Sequence, residues 1–148
     1  MSDFGCGIVA YARANTRVSN NPTSDIPHQF MTRKELQDRL KIYAITIVKF
    51  AENLPESPGF RTVRNQIVRC GPSSAANYRA ACRGKSSADF KHKLTIVEEE
   101  LDETLFWLEF IVGLDEEKRL TVSPLWKEGN ELLSIIVATI NTVKRNLK

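Results

Sequence analysis

The chain has 148 residues, a formal net charge of +3 and a hydrophobic fraction of 42%. This length favours one domain with one sizeable core, and the ordinary composition argues against both a disordered chain and a membrane protein. The longest apolar stretches, residues 42–51 and 132–140, fall short of the roughly 18 residues of a membrane span. Three cysteines without a Cys-x-x-Cys pair argue against a disulfide framework or a zinc site and favour reduced thiols in the cytoplasm.

Residues 1–31 show no apolar periodicity and are rich in Asn, Ser, Thr and Pro between Asn15 and Pro27. This pattern predicts a flexible tail. Met31 directly precedes the first predicted helix, so we hypothesise that Met31 is the natural start of the chain. N-terminal sequencing of the natively expressed protein tests this hypothesis.

Residues 32–148 predict four helices, because apolar residues recur every three or four positions in four separate segments. Short connections make neighbouring helices antiparallel, which predicts an all-α, up-down-up-down four-helix bundle. Thr32 and Glu35 have the spacing of a capping box, Ser86 or Ser87 suits the third N-cap, and Ser123 with Pro124 suits the fourth helix start. The predicted helices are Thr32–Asn53, Gly59–Arg83, Ser87–Gly113 and Pro124–Asn146.

Two details of these helices are specific enough to be tested. Gly71-Pro72 lies inside the second helix, where proline removes a backbone donor, and predicts a kink or a short break. The second helix is expected to bury Phe60, Val63, Ile67, Cys70, Ser74, Tyr78 and Ala81. The fourth is expected to bury Leu125, Leu132, Ile136, Ile140, Val143 and Leu147.

The third helix carries apolar residues on two faces. At 100° per residue, Phe106 and Phe110 fall nearly opposite the buried stripe, in line with Glu99 and Glu103, and Trp107 lies at one flank. A bundle helix with two apolar faces usually buries both, so these five residues predict a homo-oligomer interface. The alternatives are a bent helix or cover by the N-terminal tail.

Charge is distributed unevenly along the chain. Residues 61–93 hold eight cations and one acid, whereas every charged residue from 94 to 117 is acidic. Segments of opposite charge attract each other within a fold or between subunits, which favours an ion-paired or solvated face. The alternative is that outward-facing cations of the second helix bind a phosphate backbone. The candidate nucleic-acid-binding residues are Arg61, Arg69, Arg79, Arg83 and Lys85.

No catalytic, metal or cofactor site is predicted. Di-iron bundles use Glu-x-x-His pairs, and His92 has only Asp89 at a suitable spacing. Cys70 or Cys82 could approach His92 as a nucleophilic pair, but lone cysteines in small-residue helices are more often packing residues. Gly84-Lys85-Ser86 lacks the upstream glycine and the strand of a phosphate-binding loop. We therefore expect a non-enzymatic protein.

A long signature can be compared with known families. It reads RNQIVRCGPSSAANYRAACRGKSSADF over residues 64–90 and KLTIVEEELDETLFWLE over residues 93–109. This signature resembles the bacterial four helix bundle protein family, also called the 23S rRNA intervening-sequence protein or S23 family. The resemblance extends over roughly residues 31–148. The tail before Met31 lies outside it.

The resemblance implies an antiparallel bundle that assembles into a ring, typically a pentamer, and has no established enzymatic activity. It also implies kinship with the accessory protein of diversity-generating retroelements, a basic pentamer that binds a reverse transcriptase and structured RNA. This chain departs from that relative because it is closer to neutral. The resemblance implies that its signature positions hold the second helix against the third, with Asn77 satisfying backbone groups freed by Pro72. These positions are Gln66, Arg69, Ser74, Asn77, Arg79, Arg83, Phe90 and Glu103.

We therefore expect a cytoplasmic, homo-oligomeric scaffold without a membrane partner. It would bind structured RNA, or a nucleic-acid enzyme such as a reverse transcriptase, through a basic surface. The alternative is a purely structural protein–protein interaction module, in which the arginine and glutamate faces only join subunits.

Overall fold

The computed structural model divides the chain into two units, Met1–Phe30 and Met31–Lys148, and describes residues 31–147. Apart from Met31, the tail predicted for residues 1–31 lies outside the described residues. Residues 31–147 contain four α-helices, one short 3-10 helix and no strand. They are α1 Arg33–Glu52, α2 Pro58–Cys82, α3 Ser87–Leu114, the 3-10 helix Glu116–Lys118, and α4 Arg119–Asn146.

Each helix packs against the next one in chain order, and α1 also contacts α4, which closes the bundle. The connections are short, so successive helices run in opposite directions. The predicted all-α, antiparallel four-helix bundle is confirmed. Among residues 31–147, no helix combines the length and the apolar character that crossing a membrane requires.

The first three helices begin within one residue of their predicted starts, and the predicted caps of the first and third are present. Thr32 and Glu35 form the capping box: the Glu35 N–H donates to Thr32 Oγ1 at 3.2 Å, and the Thr32 N–H donates to Glu35 Oε2 at 2.6 Å. Ser57 caps α2, with Pro58 as the first helical residue. Ser86 caps α3 by accepting from the Asp89 N–H at 3.1 Å. Side-chain capping satisfies N–H groups that have no partner within the first turn of a helix.

All seven residues predicted for the α2 stripe are buried. Of the two outcomes predicted at Gly71-Pro72, the short break is wrong, because α2 continues through both residues, and the kink stays a prediction. A Cβ atom on Gly71 would lie 2.9 Å from Cγ2 of Ile47, so the glycine lets α1 approach closely. We attribute the continuity of α2 to this packing, which offsets the loss of one backbone hydrogen bond at Pro72.

The start of α4 differs from the prediction. The helix begins at Arg119 rather than at Pro124, and the preceding 3-10 turn is capped by Asp115, which accepts from the Glu117 N–H at 3.0 Å. Val122 is fully buried, so one more turn packs against the core. Pro124 lies inside this helix and lacks the N–H that would donate to the carbonyl oxygen of Leu120. Leu120 is exposed, so the missing hydrogen bond is at the surface.

The stripe of α4 also differs at both ends. Trp126 is buried, whereas Leu125 is half-buried, and the indole Nε1 of Trp126 donates to Glu109 Oε1 at 2.9 Å. Leu147, at the other end, is exposed. A buried indole needs a polar partner for its N–H. The hydrogen bond to Glu109 of α3 provides that partner and allows Trp126 to be the buried residue.

An ion pair and a close approach join α1 to α4. Arg39 donates to both carboxylate oxygens of Glu128, at 2.6 and 2.8 Å, and lies 3.0 Å from Glu131. The bond to Glu128 raises the pKa of Arg39 above its ordinary value. One turn away, a Cβ atom on Gly129 would lie 2.2 Å from the hydroxyl oxygen of Tyr43. Only glycine therefore fits where α4 crosses Tyr43.

Candidate nucleic-acid interface

The α2–α3 turn brings together charged side chains from both helices. A Cβ atom on Gly84 would lie 2.8 Å from Oδ2 of Asp89 and 3.0 Å from the carbonyl oxygen of Ala81, so the turn is tight. The Asp89 carboxylate accepts from the Lys85 N–H at 3.3 Å and from Nζ of Lys93 at 2.5 Å. The bond from Lys93 lowers the pKa of Asp89. This carboxylate is thus ion-paired within its own helix.

A surface groove of about 670 Å³ lies beside this turn. Four of its side chains are cationic and one is acidic, and the acid is the ion-paired Asp89. Arg79, Arg83 and Lys85 are exposed and form no ion pair within the described chain. The groove therefore presents positive charge that no neighbouring carboxylate neutralises. It is lined by Ala76, Arg79, Ala80, Arg83, Lys85, Asp89 and Lys93.

A second groove, of about 740 Å³, lies between the start of α3 and the end of α4. Its lining includes three cations, Lys91, Lys144 and Arg145, and no acid. Because the bundle is antiparallel, the α2–α3 turn and the C-terminus of α4 lie at the same end. We call this the basic end, and it comprises the cations of both grooves. The start of α3 separates the two grooves, with Lys93 on one side and Lys91 on the other.

The structure separates the five predicted nucleic-acid-binding residues. Arg79, Arg83 and Lys85 share the first groove. Arg61 lies at the opposite end of α2, about 33 Å from Arg83 at 1.5 Å per residue. Arg69 is ion-paired with Glu103 and lies 3.4 Å from Glu100. Its guanidinium is therefore engaged within the protomer, as the ion-paired interpretation of the charge pattern predicted.

Four further cations belong to the basic end but were not among the predicted residues. Lys91 and Lys93 are in the same cationic run as Lys85, so the sequence contained a signal for them. Lys144 and Arg145 lie in the last turn of α4, where cations complement the negative end of the helix dipole, so their place in the sequence carries no separate signal of a shared site. Their proximity to Lys91 depends on how α3 packs against α4, which no local pattern reports.

Two expectations drawn from the family signature have different outcomes. The ion pair between Arg69 and Glu103 joins α2 to α3, as the resemblance implied. The expectation for Asn77 is wrong. Its Nδ2 donates to the carbonyl and hydroxyl oxygens of Ser73 at 2.9 and 3.1 Å. Those groups lie on the C-terminal side of Pro72, whereas the carbonyl freed by the proline belongs to Val68.

The opposite end of the bundle, which we call the acidic end, contains the α1–α2 and α3–α4 turns. Its acids include Glu56, Asp115 and Glu116, and each of these has a cationic partner: Arg64, Lys118 and Arg119, respectively. Arg64 also donates to the carbonyl oxygen of Ala51 in the last turn of α1 and to those of Leu54 and Pro55 in the α1–α2 turn. These three acids therefore stabilise the protomer's own turns, whereas Arg61, at the same end, is exposed and forms no ion pair within residues 31–147.

The predicted aromatic face of α3 points outward. Phe106 is 52% exposed and Phe110 is 43% exposed, while Trp107 is half-buried. The three rings contact one another, with centroids 4.9 to 6.0 Å apart. Nε1 of Trp107 donates to Glu103 Oε1 at 3.2 Å, which places Glu103 in a network within the protomer. Glu99 is exposed. The oligomer interface itself stays a prediction.

The structure also shows the surroundings of Cys70, Cys82 and His92, the residues considered as a nucleophilic pair. Cys70 is buried, Thr104 Oγ1 lies 3.2 Å from its sulfur, and burial raises the pKa of the thiol. A buried neutral thiol is a packing residue. Within residues 31–147, no hydrogen bond joins His92 to Cys70 or Cys82. No cluster of three or more metal-ligating side chains occurs in that range either.

The fold and grooves define an all-α bundle with one basic end, and comparison with solved structures identifies a relative. The chain is similar to a crystal structure, at 1.70 Å resolution, of a protein of unknown function from the S23 ribosomal protein family of Bacteroides thetaiotaomicron VPI-5482. The two share 28% sequence identity with a TM-score of 0.68, over 74% of this chain and 97% of the other. No family model matches the chain, and no curated protein sequence matches it. The predicted resemblance to the S23 family is confirmed.

Proposed function

We propose that this protein is a non-enzymatic, homo-oligomeric scaffold of the cytoplasm that binds structured RNA at its basic end. The observation that carries the proposal is the pair of adjacent grooves, in which seven cations face a single ion-paired carboxylate. Phosphate contacts supply most of the affinity in sequence-independent nucleic-acid binding. The implied kinship with retroelement accessory proteins adds a reverse transcriptase as a partner for the same surface.

The dipoles of α2 and α4 provide a competing explanation for these cations. Both helices end at the basic end, where basic side chains complement the partial negative charge of the last turn. That role suits Arg79, Lys144 and Arg145, which lie in last turns. It does not account for Lys85 and Lys91, which lie near the start of α3, where the dipole favours acids, and form no ion pair within residues 31–147. Phosphate binding accounts for both sets of cations.

A matched pair of variants tests the proposal. In Arg79→Gln/Arg83→Gln, two cations leave the first groove. In Arg61→Gln/Lys127→Gln, two exposed cations without ion pairs in the described chain leave other surfaces. Both variants have the same net charge. We expect the first to bind a fluorescent RNA hairpin at least about tenfold more weakly. Its plot of log affinity against log salt should be shallower by about 0.7 to 0.9 per lost phosphate contact.

The control variant should bind within about twofold of the parent protein, since only local cations contact phosphates. Anisotropy titrations at several salt concentrations measure both quantities. Equal losses in the two variants would show that net charge alone attracts RNA. Absence of binding by the parent protein would contradict the proposal.

The outward aromatic rings support the oligomeric part of the proposal, because exposed apolar patches of this kind mark interaction sites. Multi-angle light scattering at micromolar concentration measures the oligomeric state. We expect an assembly of several copies, with a pentamer implied by the family resemblance. A strict monomer would contradict this part.

The ion pair between Arg69 and Glu103 favours one alternative, a purely structural interaction module. In such a module, opposite charges only join helices and subunits. Arg83→Glu would then dissociate the oligomer without any loss of RNA affinity. If the protein is an RNA-binding scaffold, the same change should lower RNA affinity and leave the oligomer intact.

A further inference from the structure

We propose that neighbouring copies of this chain meet head to tail, with the outer face of α1 in one copy seated on the outer face of α3 in the next. The inference rests on the oligomeric part of the proposed function and specifies the surfaces that form the contact. It adds a second surface, on α1, to the aromatic face on α3.

The first surface is the α1 face, comprising Lys41, Ile42, Ile45 and Lys49. Ile42 is 65% exposed and Ile45 is 46% exposed, and they are adjacent on the helix because they are three residues apart. Lys41 and Lys49 each lie one turn from Ile45, and both are exposed. Neither forms an ion pair with any residue between 31 and 147. This face is therefore apolar at its centre and positive at its edge.

The second surface is the α3 face, comprising Glu99, Asp102, Phe106 and Phe110. The two phenylalanine rings lie one turn apart and are half exposed. Asp102 lies one turn before Phe106, and Glu99 one turn before Glu103. Both Glu99 and Asp102 are exposed and have no ion-pair partner within the part of the chain that the structure describes. This face is apolar and negative.

The α1 face and the α3 face are complementary in charge, whereas neither face is complementary to a second copy of itself. Two α3 faces in contact would bring four unpaired carboxylates into one interface, and two α1 faces would bring four unpaired ammonium groups together. Like charges at an interface are strongly unfavourable. An α1 face on an α3 face instead buries isoleucine against phenylalanine and sets lysines beside acids.

A single copy cannot join its own two faces. Helices α1 and α3 lie diagonally across the bundle, because each packs on α2 and α4. Arg33, at the start of α1, contacts the Phe90 ring of α3 at 4.9 Å from its centroid, and neither residue belongs to the two outer faces. The outer faces of α1 and α3 point away from the common core. The contact must therefore form between copies, and a contact between two different surfaces is heterologous, which generates a closed ring or an open chain of copies.

A complementation experiment on the full chain tests this arrangement. Ile42→Gln/Ile45→Gln disables the α1 face, and Phe106→Gln/Phe110→Gln disables the α3 face. All four positions are exposed, and glutamine is compatible with a helix, so circular dichroism should show unchanged helix content. Each variant alone should be monomeric in sedimentation-velocity runs. An equimolar mixture should form a 1:1 heterodimer, because it contains one intact face of each kind.

Other outcomes would overturn the inference, and they are distinguishable. If the α3 variant is monomeric while the α1 variant assembles like the parent protein, α3 faces pair with each other. That result would support the oligomeric part of the proposed function and contradict the head-to-tail contact. If both variants are monomeric and their mixture shows no heterodimer, the two faces do not meet. If the parent protein is itself monomeric, the oligomeric part of the proposed function falls.

Charge exchange provides a second readout. Lys41→Glu/Lys49→Glu should weaken assembly by roughly tenfold or more, and the weakening should diminish at high salt. Adding Glu99→Lys/Asp102→Lys to the same chain should restore assembly, because the charges are again opposite across the contact. A chain with all four changes that assembles no better than the first variant would contradict the contact.

Discussion

The two ends of the bundle use the same residue types differently. At the basic end, Arg79, Arg83 and Lys85 are exposed beside a groove and have no acidic partner in the described chain. At the acidic end, Arg64 is ion-paired with Glu56 and donates to backbone carbonyls. The comparison teaches that an arginine can bind a partner only where no carboxylate or backbone carbonyl oxygen of its own chain already accepts its hydrogen bonds.

The largest expected effect on stability is at the acidic end. Arg64→Ala removes hydrogen bonds to the carbonyl oxygens of Ala51 at 3.2 Å and Leu54 at 2.5 Å, and the ion pair with Glu56 at 2.7 Å. We expect the free energy of unfolding to fall by about 2 kcal/mol, because buried acceptors lose a charged donor. Urea denaturation measures it.

The matched control for this change is Arg79→Ala at the basic end. Its side chain is exposed and unpaired among the described residues, so the free energy of unfolding should change by less than about 0.5 kcal/mol. RNA affinity should show the opposite order, with the loss at Arg79 and none at Arg64. Equal destabilisation by the two changes would remove the distinction between the ends.

A smaller effect is expected at two glycines, one at each end. Gly84→Ala places a Cβ atom 2.8 Å from Asp89 Oδ2 and 3.0 Å from the carbonyl oxygen of Ala81. This overlap should destabilise the fold by about 1 to 2 kcal/mol. Gly113, inside α3, has open space around the position of a Cβ atom. Gly113→Ala should stabilise the fold by about 0.5 to 1 kcal/mol, because alanine loses less backbone entropy than glycine in a helix.

Thermal melts of both variants check these signs. Gly84→Ala should also weaken RNA binding, since the altered turn displaces Lys85, whereas Gly113→Ala should leave RNA binding unchanged. Stabilisation by both substitutions would mean that the α2–α3 turn yields easily and does not hold the groove in shape.

The smallest expected effect is the change of stability at low pH. A bond from Lys93 lowers the pKa of Asp89 below its ordinary value of 3.8, and a bond from Arg119 lowers the pKa of Glu116 below its ordinary value of 4.5. The folded state thus favours both ionised carboxylates. Their stabilisation is complete above the ordinary values and is lost as the pH falls through the lowered ones.

We therefore expect Asp89→Asn and Glu116→Gln to melt slightly below the parent protein at pH 6 and to converge with it near pH 2. Calorimetry across this range measures the convergence. A melting difference that persists undiminished at pH 2 would mean that the carboxylate charge is not what stabilises the turn. The two ends should respond alike here, since each carboxylate is ion-paired with a cation of its own end.

Much of the candidate site was predictable because it is local. Arg79, Arg83 and Lys85 lie on one helix end and the turn that follows, so sequence spacing alone placed them together. Arg69 could not be assigned in this way, since its partners Glu100 and Glu103 are more than thirty residues away. Lys144 and Arg145 were missed as members of the basic end for the same reason.

The sequence by itself determined the four helices, the α2 stripe and the outward position of Phe106 and Phe110. These follow from periodicity and capping, which act between residues a few positions apart. Tertiary structure alone decided that α2 passes unbroken through Pro72 and that α4 begins at Arg119. It also decided which cations of the described chain remain without an ion-pair partner. Packing free energy and long-range ion pairs act between helices, and no local pattern reports which helix faces which.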